Sequence, residues 1–469
     1  MRNFTAIVLA AGKGTRFKSA VPKVLHPIGG RPMLHYPLQA LKALKPRGIV
    51  VVVGHKAEDV KARFNENGFL GFAVQEPQLG TGHAVMCGLK GLKGAENNVQ
   101  DLLILSGDVP LITEETIRAL FREHMGSKGS SPVISFISTE LNDPAGYGRV
   151  IRGENGNVLR IVEHKDLKPY EHCVNEINAG IYLISRAFLA ENLKKLGNKN
   201  AQKEFYLPDL VRLASEAGKP VSALMTSDSD EVMGINTRIE LARAGRLLNQ
   251  RTLNSLMLNG VSIVDPEATY IESTVKIGPD TTVYPGAYIA GSAKIGANAT
   301  IEQGVLIRDS AIGDNTVVKA YSVIEDSSIG RNASIGPFAR LRPGNVIMDN
   351  VRIGNFVEVK KTRMGKGAKA NHLSYLGDSV IGRHVNIGAG TITCNYDGIN
   401  KYTTTIKDNA FIGSDTQLVA PVVVGKGAYV GSGTTVTKDV PPGSLVVTRA
   451  SERVIKGWAR KRLKKGHQA

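Results

Sequence analysis

A short glycine-rich segment near the N-terminus carries residue types suited to holding a phosphate. It runs Leu9-Ala10-Ala11-Gly12-Lys13-Gly14-Thr15-Arg16 and is followed by Pro22-Lys23. Small side chains let backbone N–H groups approach a phosphate closely, and Arg16 and Lys23 can neutralise a triphosphate. The segment lacks the Lys-Ser/Thr of a Walker A loop and the third glycine of a dinucleotide-binding fingerprint. It therefore predicts a nucleotide site of another kind, or else an ordinary turn with two nearby cations.

The surrounding sequence has the alternating pattern of a parallel sheet covered by helices. This pattern predicts strands at 5–9, 49–53 and 102–105 and helices at 32–44, 57–64 and 82–92. Pro32 suits the first turn of its helix, where a missing N–H costs nothing. Ligands of such sheets gather at the carboxyl ends of the strands. We therefore expect chemistry in the loops after Leu9, Val53 and Leu105.

A different period governs the second half of the chain. The segment 237–258 contains several apolar residues and no proline, and this pattern predicts a connecting helix that ends at Asn259-Gly260. Beyond it an aliphatic residue followed by glycine recurs, mostly at gaps of 6, 12, 17 or 18 residues, at Ile277, Ile295, Ile312, Ile329, Ile335, Ile353, Ile381, Ile387, Ile412, Val424 and Val430. Such units predict a β-solenoid with three short strands in each coil.

Two longer gaps interrupt this repeat. The gaps of 28 residues after Ile353 and 25 residues after Ile387 predict loops that leave the coil. The two segments contain His372, Tyr375, Asn395 and Tyr396. Insertions in a solenoid often bind ligands, so we interpret both loops as functional. A spacer or trimerisation rod without chemistry is the alternative.

Composition narrows the class of protein. The 469 residues are 42% hydrophobic and 22% charged, which is typical of a globular chain with two or three cores. The net charge is +17, and residues 449–469, a basic arm, hold eight Lys/Arg and one acid. Binding of a phosphate-rich small molecule, or solubility alone, explains such an arm as well as nucleic-acid binding does. Three cysteines without a C-x-x-C pair indicate neither a disulfide framework nor a zinc site and favour the cytoplasm. No apolar run predicts a membrane span.

The glycine-rich segment is the first of an ordered set of motifs. Those that follow are Gln75, Leu79-Gly80-Thr81-Gly82-His83-Ala84, Gly107-Asp108-Val109-Pro110, Gly146-Tyr147-Gly148-Arg149, Glu163-His164-Lys165-Asp166, Glu176-Ile177-Asn178 and Gly234-Ile235-Asn236. The set closely resembles the sugar-1-phosphate nucleotidyltransferases. Nearly the whole chain resembles the bacterial bifunctional N-acetylglucosamine-1-phosphate uridyltransferases and glucosamine-1-phosphate acetyltransferases. This wider resemblance adds two segments of the second half, Asn371-His372-Leu373-Ser374-Tyr375-Leu376-Gly377-Asp378 and Thr393-Cys394-Asn395-Tyr396-Asp397-Gly398.

The resemblance implies fold and organisation. The fold class is α/β, with a Rossmann-like nucleotidyltransferase domain at 1–236, a helical linker at 237–260, a left-handed parallel β-helix of hexapeptide repeats at 261–448 and the basic arm at 449–469. The implied product is UDP-N-acetylglucosamine, and the implied assembly is a homotrimer without nucleic-acid partners. A single-activity nucleotidyltransferase with a scaffold β-helix, and a non-enzymatic assembly factor, are the competing hypotheses.

For the first reaction, the resemblance implies that N-acetylglucosamine 1-phosphate attacks the α-phosphorus of UTP. Asp108 and Asn236 would hold Mg²⁺, a hard cation that prefers oxygen ligands, while Arg16 and Lys23 would act on the triphosphate. The implied UTP and UDP-sugar contacts are Leu9, Ala10, Ala11, Gly12, Lys23, Gln75, Gly80, Thr81 and Asn236 on the nucleotide side, with Gly148, Glu163 and Asn178 near the sugar. Gln75 offers a base edge both a donor and an acceptor. His83 and His164 are interpreted as structural.

For the second reaction, the resemblance implies acetyl transfer from acetyl-CoA to glucosamine 1-phosphate. His372 is the expected base because an imidazole titrates near neutral pH, and Glu358 is the carboxylate expected to orient it. The implied sugar-phosphate contacts are Arg342, Lys360, Tyr375 and Asn386. The implied acetyl-CoA contacts are Ala389, Tyr396, Ser414, Ser432 and Arg449, and Asn395 is assigned to either substrate.

Overall fold

The protein is described by a computed structural model that covers residues 3–64, 70–126, 131–449, 451–460 and 462. The chain divides into two compact units, Met1–Leu248 and Asn249–Ala469. Of the basic arm predicted at 449–469, residues 450, 461 and 463–469 lie outside the described residues. Within the described residues, no helix is both long enough and apolar enough to span a membrane.

The first unit is built on a mixed β-sheet. The strands of the first unit are β1 Phe4–Ala10, β2 Pro27–Ile28, β3 Arg31–Pro32, β4 Ile49–Val53, β5 Leu70–Val74, β6 Asp101–Ser106, β7 Ile134–Glu140, β8 Arg149–Arg152, β9 Val158–Val162, β10 Glu176–Ser185 and β11 Val221–Met225. The main sheet has the order β11-β7-β10-β6-β1-β4-β5. Strands β6, β1, β4 and β5 are mutually parallel, and β10 is antiparallel to both β6 and β7.

Seven α-helices occur among the described residues. They are α1 His35–Ala43, α2 Ala57–Phe64, α3 Thr81–Gly91, α4 Glu114–Met125, α5 Arg186–Asn192, α6 Asp209–Glu216 and α7 Arg238–Leu258. Alternate residues of β1 point to opposite faces of the sheet, so that Ile7 joins the core that includes α3, α5 and α6, while Ala6 and Val8 join the core that includes α1 and α4. Both faces of the sheet are thus buried, which explains its continuous apolar strands.

The predicted strands and helices of this unit are confirmed apart from one helix start. Pro32 does not begin a helix, because it lies in β3 and pairs with Pro27 of β2. Gly29 and Gly30, with φ of 54° and 81°, make the tight two-residue turn between these strands. Helix α1 begins only at His35. The glycine pair therefore outweighs the helical pattern that follows it.

The second unit is a parallel β-helix whose strands form three stacked sheets. The first sheet contains Ser262–Ile263, Thr282–Val283, Thr300–Ile301, Val317–Val318, Ser334–Ile335, Arg352–Asn355, Lys369–His372, Asn386–Ile387, Phe411–Ile412, Tyr429–Val430 and Leu445–Val446. The second contains Tyr270–Ile271, Tyr288–Ala290, Leu306–Arg308, Val323–Glu325, Arg340–Leu341, Glu358–Lys360, Tyr375–Gly377, Ile392–Cys394, Gln417–Val419 and Thr435–Val436. The third contains Lys276–Ile277, Lys294–Ile295, Ala311–Ile312, Ser327–Ile329, Asn345–Ile347, Arg363–Met364, Ser379–Ile381, Thr404–Ile406 and Val422–Val424.

One of the two predicted loops is wrong. Between Ile353 and Ile381 the coil continues without an insertion, since the inward positions are taken by fully buried Val359, Met364, Ala370 and Leu376. These residues stand where isoleucine stands in other coils, so a search for isoleucine-glycine pairs does not detect them. His372 and Tyr375 accordingly lie on coil strands rather than in a loop.

The other predicted loop is confirmed. The chain leaves the coil between strands Ile392–Cys394 and Thr404–Ile406, so that residues 395–403 form an insertion. An isolated antiparallel bridge joins Tyr396 to Lys401 within it. We call residues 395–403 the coil insertion. It contains Asn395 and Tyr396, as expected.

Candidate active sites

The first unit has a cavity of about 480 Å³ at the carboxyl ends of β1 and β6. Its size lies in the range typical of small-molecule sites. Nine of the predicted residues line it, namely Leu9, Ala10, Ala11, Gly12, Lys23, Gln75, Gly80, Thr81 and Asp108. Residues that the sequence did not single out for binding also line it, including Gln78 and Glu204. Arg16 is exposed and is not among the lining residues.

The phosphate loop has a shape that requires glycine at one position. Gly14 has a φ of 61°, and a Cβ atom there would lie 2.9 Å from the Cβ of Lys23. The left-handed backbone favours glycine, and the absence of a Cβ atom leaves room for the lysine. The loop therefore brings Lys23 against the same cavity as Gly12.

Lys23 joins the two residues expected to bind a metal. Its ammonium donates to the Asp108 carboxylate at 2.5 Å and to the Asn236 amide oxygen at 3.1 Å. The backbone N–H of Ile235 donates to the Asp108 carbonyl at 2.9 Å, and Glu240 of α7 accepts from the Asn236 N–H, so both residues are firmly placed.

This geometry fits a magnesium site. Two oxygen atoms from different loops converge on one cationic group, which is the donor chemistry that Mg²⁺ prefers. Among the described residues, no three His, Cys, Asp or Glu side chains form a closed metal cage. Mg²⁺ needs no such cage, because it commonly uses one or two protein ligands together with phosphates and water.

At the far side of the cavity, Gln75 has only one end of its amide available. Its Nε2 donates to the Gly80 carbonyl at 2.9 Å and lies 3.4 Å from Nδ1 of His83. The oxygen is therefore the atom left to face a base, rather than both ends as the sequence suggested. Gln78, which the sequence analysis missed, donates to the Ala11 carbonyl at 2.5 Å and so ties this side of the cavity to the phosphate loop.

The three residues predicted to contact the sugar lie together. The Asn178 N–H donates to the Gly148 carbonyl at 2.9 Å, and a Cβ on Gly148 would lie 3.6 Å from Cδ of Glu163. Burial first, and then the nearby carboxylates of Asp166, Asp209 and Glu204, together raise the pKa of Glu163 to about 7. Since Glu204 also lines the cavity, this acidic group adjoins it.

In the second unit, the partner expected for His372 is wrong. His372 Nδ1 lies 2.9 Å from the Asn355 amide oxygen, whereas Glu358 forms an ion pair with Arg342 at 3.0 Å. The reason is register: Asn355 and His372 are paired residues of one sheet, while Glu358 is in another sheet and pairs with Tyr375. Asn355 is thus the residue that contacts the His372 ring, and the sequence analysis missed it.

A second group of polar residues lies around Lys360. Its ammonium is 3.5 Å from the Asp378 carboxylate, which also accepts from Asn395. The pKa of Lys360 is raised, first by its contact with the Lys401 side chain and then by Asp378. The pKa of Lys401 is lowered by the same contact with Lys360. Two lysine side chains therefore converge where a phosphate was expected.

The remaining predicted residues lie on neighbouring coils. Asn386 is on the strand next to the one that ends in His372. Backbone hydrogen bonds join the Ala389 carbonyl to Asp415 and the Ser414 carbonyl to Gly433, so Ala389, Ser414 and Ser432 lie near one corner of three successive coils. Tyr396 is 59% exposed on the coil insertion, and Arg449 is exposed after the last strand.

The chain is similar to known proteins over nearly its full length. Three family models match it: the MobA-like NTP transferase domain at residues 6–167, the GMPPB C-terminal domain at 267–348 and the bacterial transferase hexapeptide (six repeats) at 403–438. A protein of Pelobacter propionicus described as "Bifunctional protein GlmU" is 52% identical, with 99% of this chain and 100% of that protein covered. Proteins of the same description from Trichlorobacter lovleyi and Geotalea uraniireducens are 48% and 47% identical, with 98% of this chain and 99% and 100% of the relatives covered.

Proposed function

The chain belongs to the GlmU family of bifunctional proteins, which make UDP-N-acetylglucosamine with a uridyltransferase and an acetyltransferase, and from this premise we propose which residues perform each reaction. The first unit transfers the uridylyl group and the second transfers the acetyl group. The observation that carries the first assignment is the convergence of Lys23, Asp108 and Asn236 beside the phosphate loop.

In the uridylyl transfer, an oxygen of N-acetylglucosamine 1-phosphate attacks the α-phosphorus of UTP. The new phosphorus–oxygen bond forms as the bond to pyrophosphate breaks. Lys23 binds the phosphates from the cavity wall, and Arg16 approaches from the solvent side to stabilise the leaving pyrophosphate. Asp108 and Asn236 would hold Mg²⁺, which neutralises phosphate charge when bound. The protein's contribution is otherwise positioning, since no side chain needs to form a bond.

The two ends of the UDP-sugar lie on either side of this phosphate region. The Gln75 oxygen faces the base, which suits a ring N–H donor such as that of uracil. Gly148, Glu163 and Asn178 contact the N-acetyl sugar. Gly80 and Thr81, at the start of α3, together with Leu9, Ala10, Ala11 and Gly12, line the nucleotide side.

In the acetyl transfer, the amine of glucosamine 1-phosphate attacks the thioester carbon of acetyl-CoA. The carbon–nitrogen bond forms and His372 accepts the amine proton; the carbon–sulfur bond breaks, and CoA leaves as the thiolate, which takes a proton from solvent to give the free thiol. Asn355 orients the imidazole. Arg342 and Lys360 bind the sugar phosphate, with Tyr375 and Asn386 nearby, and acetyl-CoA lies along Ala389, Tyr396, Ser414, Ser432 and Arg449.

The test of this assignment is thiol release from acetyl-CoA with glucosamine 1-phosphate as acceptor and no UTP. We expect release that depends on the amino sugar phosphate and falls by at least about a hundredfold in His372→Ala, because general-base catalysis contributes this much or more. Release at the wild-type rate in the variant would contradict the role of His372. No release from the folded wild-type protein would leave the β-helix as a scaffold.

We also propose a cytoplasmic homotrimer. Cys87, Cys173 and Cys394 are all free thiols, which fits a reducing compartment. Tyr321, Phe338 and Phe356 stack at successive coil corners with ring centroids 5.4 Å apart, and each is about half exposed. Such an exposed apolar stripe supports contact with further copies, and light scattering would then report a particle of three 50.3 kDa chains.

A further inference from the structure

One carboxylate of the second unit, Asp378, joins three successive coils beside the proposed acetyl-transfer site. We infer that Asp378 is a positioning residue for acetyl transfer: its carboxylate turns the Asn395 amide so that its oxygen faces the substrates, and holds the Lys360 ammonium at the phosphate. This inference rests on the proposed function of the second unit. None of the predicted catalytic or binding roles includes Asp378.

The three residues lie at one corner of the coil. Lys360 ends the strand Glu358–Lys360, Asp378 follows the strand Tyr375–Gly377, and Asn395 follows the strand Ile392–Cys394. These strands are neighbours in one sheet. The Asp378 N–H also donates to the Lys360 carbonyl at 2.9 Å, so backbone and side chain bind the same residue.

The contact with Asn395 fixes the direction of its amide. The same Asp378 oxygen accepts from Asn395 Nδ2 at 2.5 Å and lies 3.5 Å from Lys360 Nζ. An ionised carboxylate can only accept hydrogen bonds, so the amide nitrogen must face it. The amide oxygen of Asn395, a residue only 7% exposed, is left to accept from a substrate N–H or O–H group.

Close packing around Gly377 keeps this arrangement tight. A Cβ atom at this position would lie 2.4 Å from the Tyr375 hydroxyl and 2.9 Å from Asn395 Nδ2. The Tyr375 and Asn395 side chains therefore meet over Gly377, and the Asp378 carboxylate reaches the same amide group. Tyr375 and Asn395, which are predicted to contact the substrates of acetyl transfer, therefore meet at this corner.

The charges around Lys360 require a counter-charge. Lys360 faces Lys401 of the coil insertion, Asp378 and Tyr375, while Lys401 also faces Lys361. Three lysines thus share this corner with one carboxylate. Asp378 favours the protonated form of Lys360, the form that binds a phosphate.

The experiment compares Asp378→Ala and Asp378→Asn with Asp326→Ala. Asp326 is the matched control, because it occupies the same type of left-handed corner, with a φ of 39° against 47° for Asp378. For each variant, kcat and KM for glucosamine 1-phosphate are measured by thiol release from pH 7 to about 11.5, because the pKa of Lys360 is raised above its ordinary value of 10.5. Circular dichroism reports the fold, and uridylyl transfer reports the first unit.

We expect Asp378→Ala to lower kcat/KM for glucosamine 1-phosphate by at least about tenfold, the usual effect of losing a hydrogen bond to a charged group. In the plot of kcat/KM against pH, the limb at high pH should move to lower pH, because the pKa of Lys360 falls without the carboxylate. Asp378→Asn should show the same pH shift with a smaller loss, since its oxygen can still accept from Asn395. Asp326→Ala should match the wild type.

Two results would overturn the inference. One is a wild-type rate and pH profile in Asp378→Ala. The other is a loss without any pH shift that Asp326→Ala reproduces, since this would indicate a merely structural corner. If Lys360→Ala had no effect, or if the wild type released no thiol, the proposed function itself would fail instead.

Discussion

Glu163 shows how the surroundings of a single side chain set its charge. Its folded pKa is about 7 because of burial and three nearby carboxylates, against an ordinary value of 4.5. The folded state therefore keeps a proton between about pH 4.5 and pH 7 that the unfolded chain releases. The free energy of unfolding should fall as pH rises through this window and stay low above it.

The prediction at this scale is that Glu163→Gln removes that fall. Relative to the wild type, the variant should gain up to about 3 kcal/mol in the free energy of unfolding between pH 5 and pH 8. Urea unfolding followed by circular dichroism at both pH values measures it. Glu154→Gln, which alters an exposed carboxyl, is the control. An equal drop with pH in the wild type and Glu163→Gln would show that Glu163 is not the group responsible.

Residue types predicted the nucleotide site better than they predicted individual contacts. The small residues of the phosphate loop and Asp108 line one cavity, as expected. Glu358 was wrongly paired with His372, because the partner of a residue in a coil is set by the residue one coil away, here Asn355. Asp378 was missed for the same reason, since its contacts span three coils.

At the scale of elements, the sequence is most informative where one signal dominates. The run Ile49–Val53 is a strand because β-branched residues fill it, and the structure places the strand at these residues. The region between Ile353 and Ile381 was misread because Met364, Ala370 and Leu376 fill the core without an isoleucine-glycine pair. Volume and burial, rather than residue identity, define the solenoid core.

The coil insertion provides the prediction at this scale. Replacing residues 395–403 with a single aspartate would copy the corner at 378, where one residue separates two strands. The coil should then continue, with circular dichroism unchanged, while acetyl transfer falls by at least about a hundredfold because Asn395, Tyr396 and Lys401 are gone.

Two comparisons make this result specific. Uridylyl transfer in the first unit should be unchanged in the same variant. Asn395→Ala, which removes one contact and keeps the loop, should lose less activity. Acetyl transfer close to the wild-type rate in the shortened protein would show that the insertion does not form part of the site.

At the scale of the whole molecule, the two units have separate cores. The first is built around a mixed sheet, and the second around the aliphatic column of the β-helix. The change of sequence period near residue 261 predicts separate domains, because period 2 and 3.6 patterns give way to a repeat of about six residues. Because the cores are separate, a substitution in one unit can abolish its activity while the activity of the other unit is retained.

The most direct test of this account measures both activities of Asp108→Ala in the full chain. We predict loss of Mg²⁺-dependent pyrophosphate release by at least about a hundredfold, because the variant removes the only carboxylate that contacts Lys23 among the described residues. Acetylation of glucosamine 1-phosphate should continue at the wild-type rate. A parallel fall of both activities, with circular dichroism unchanged, would contradict the assignment of two reactions to two separate sites.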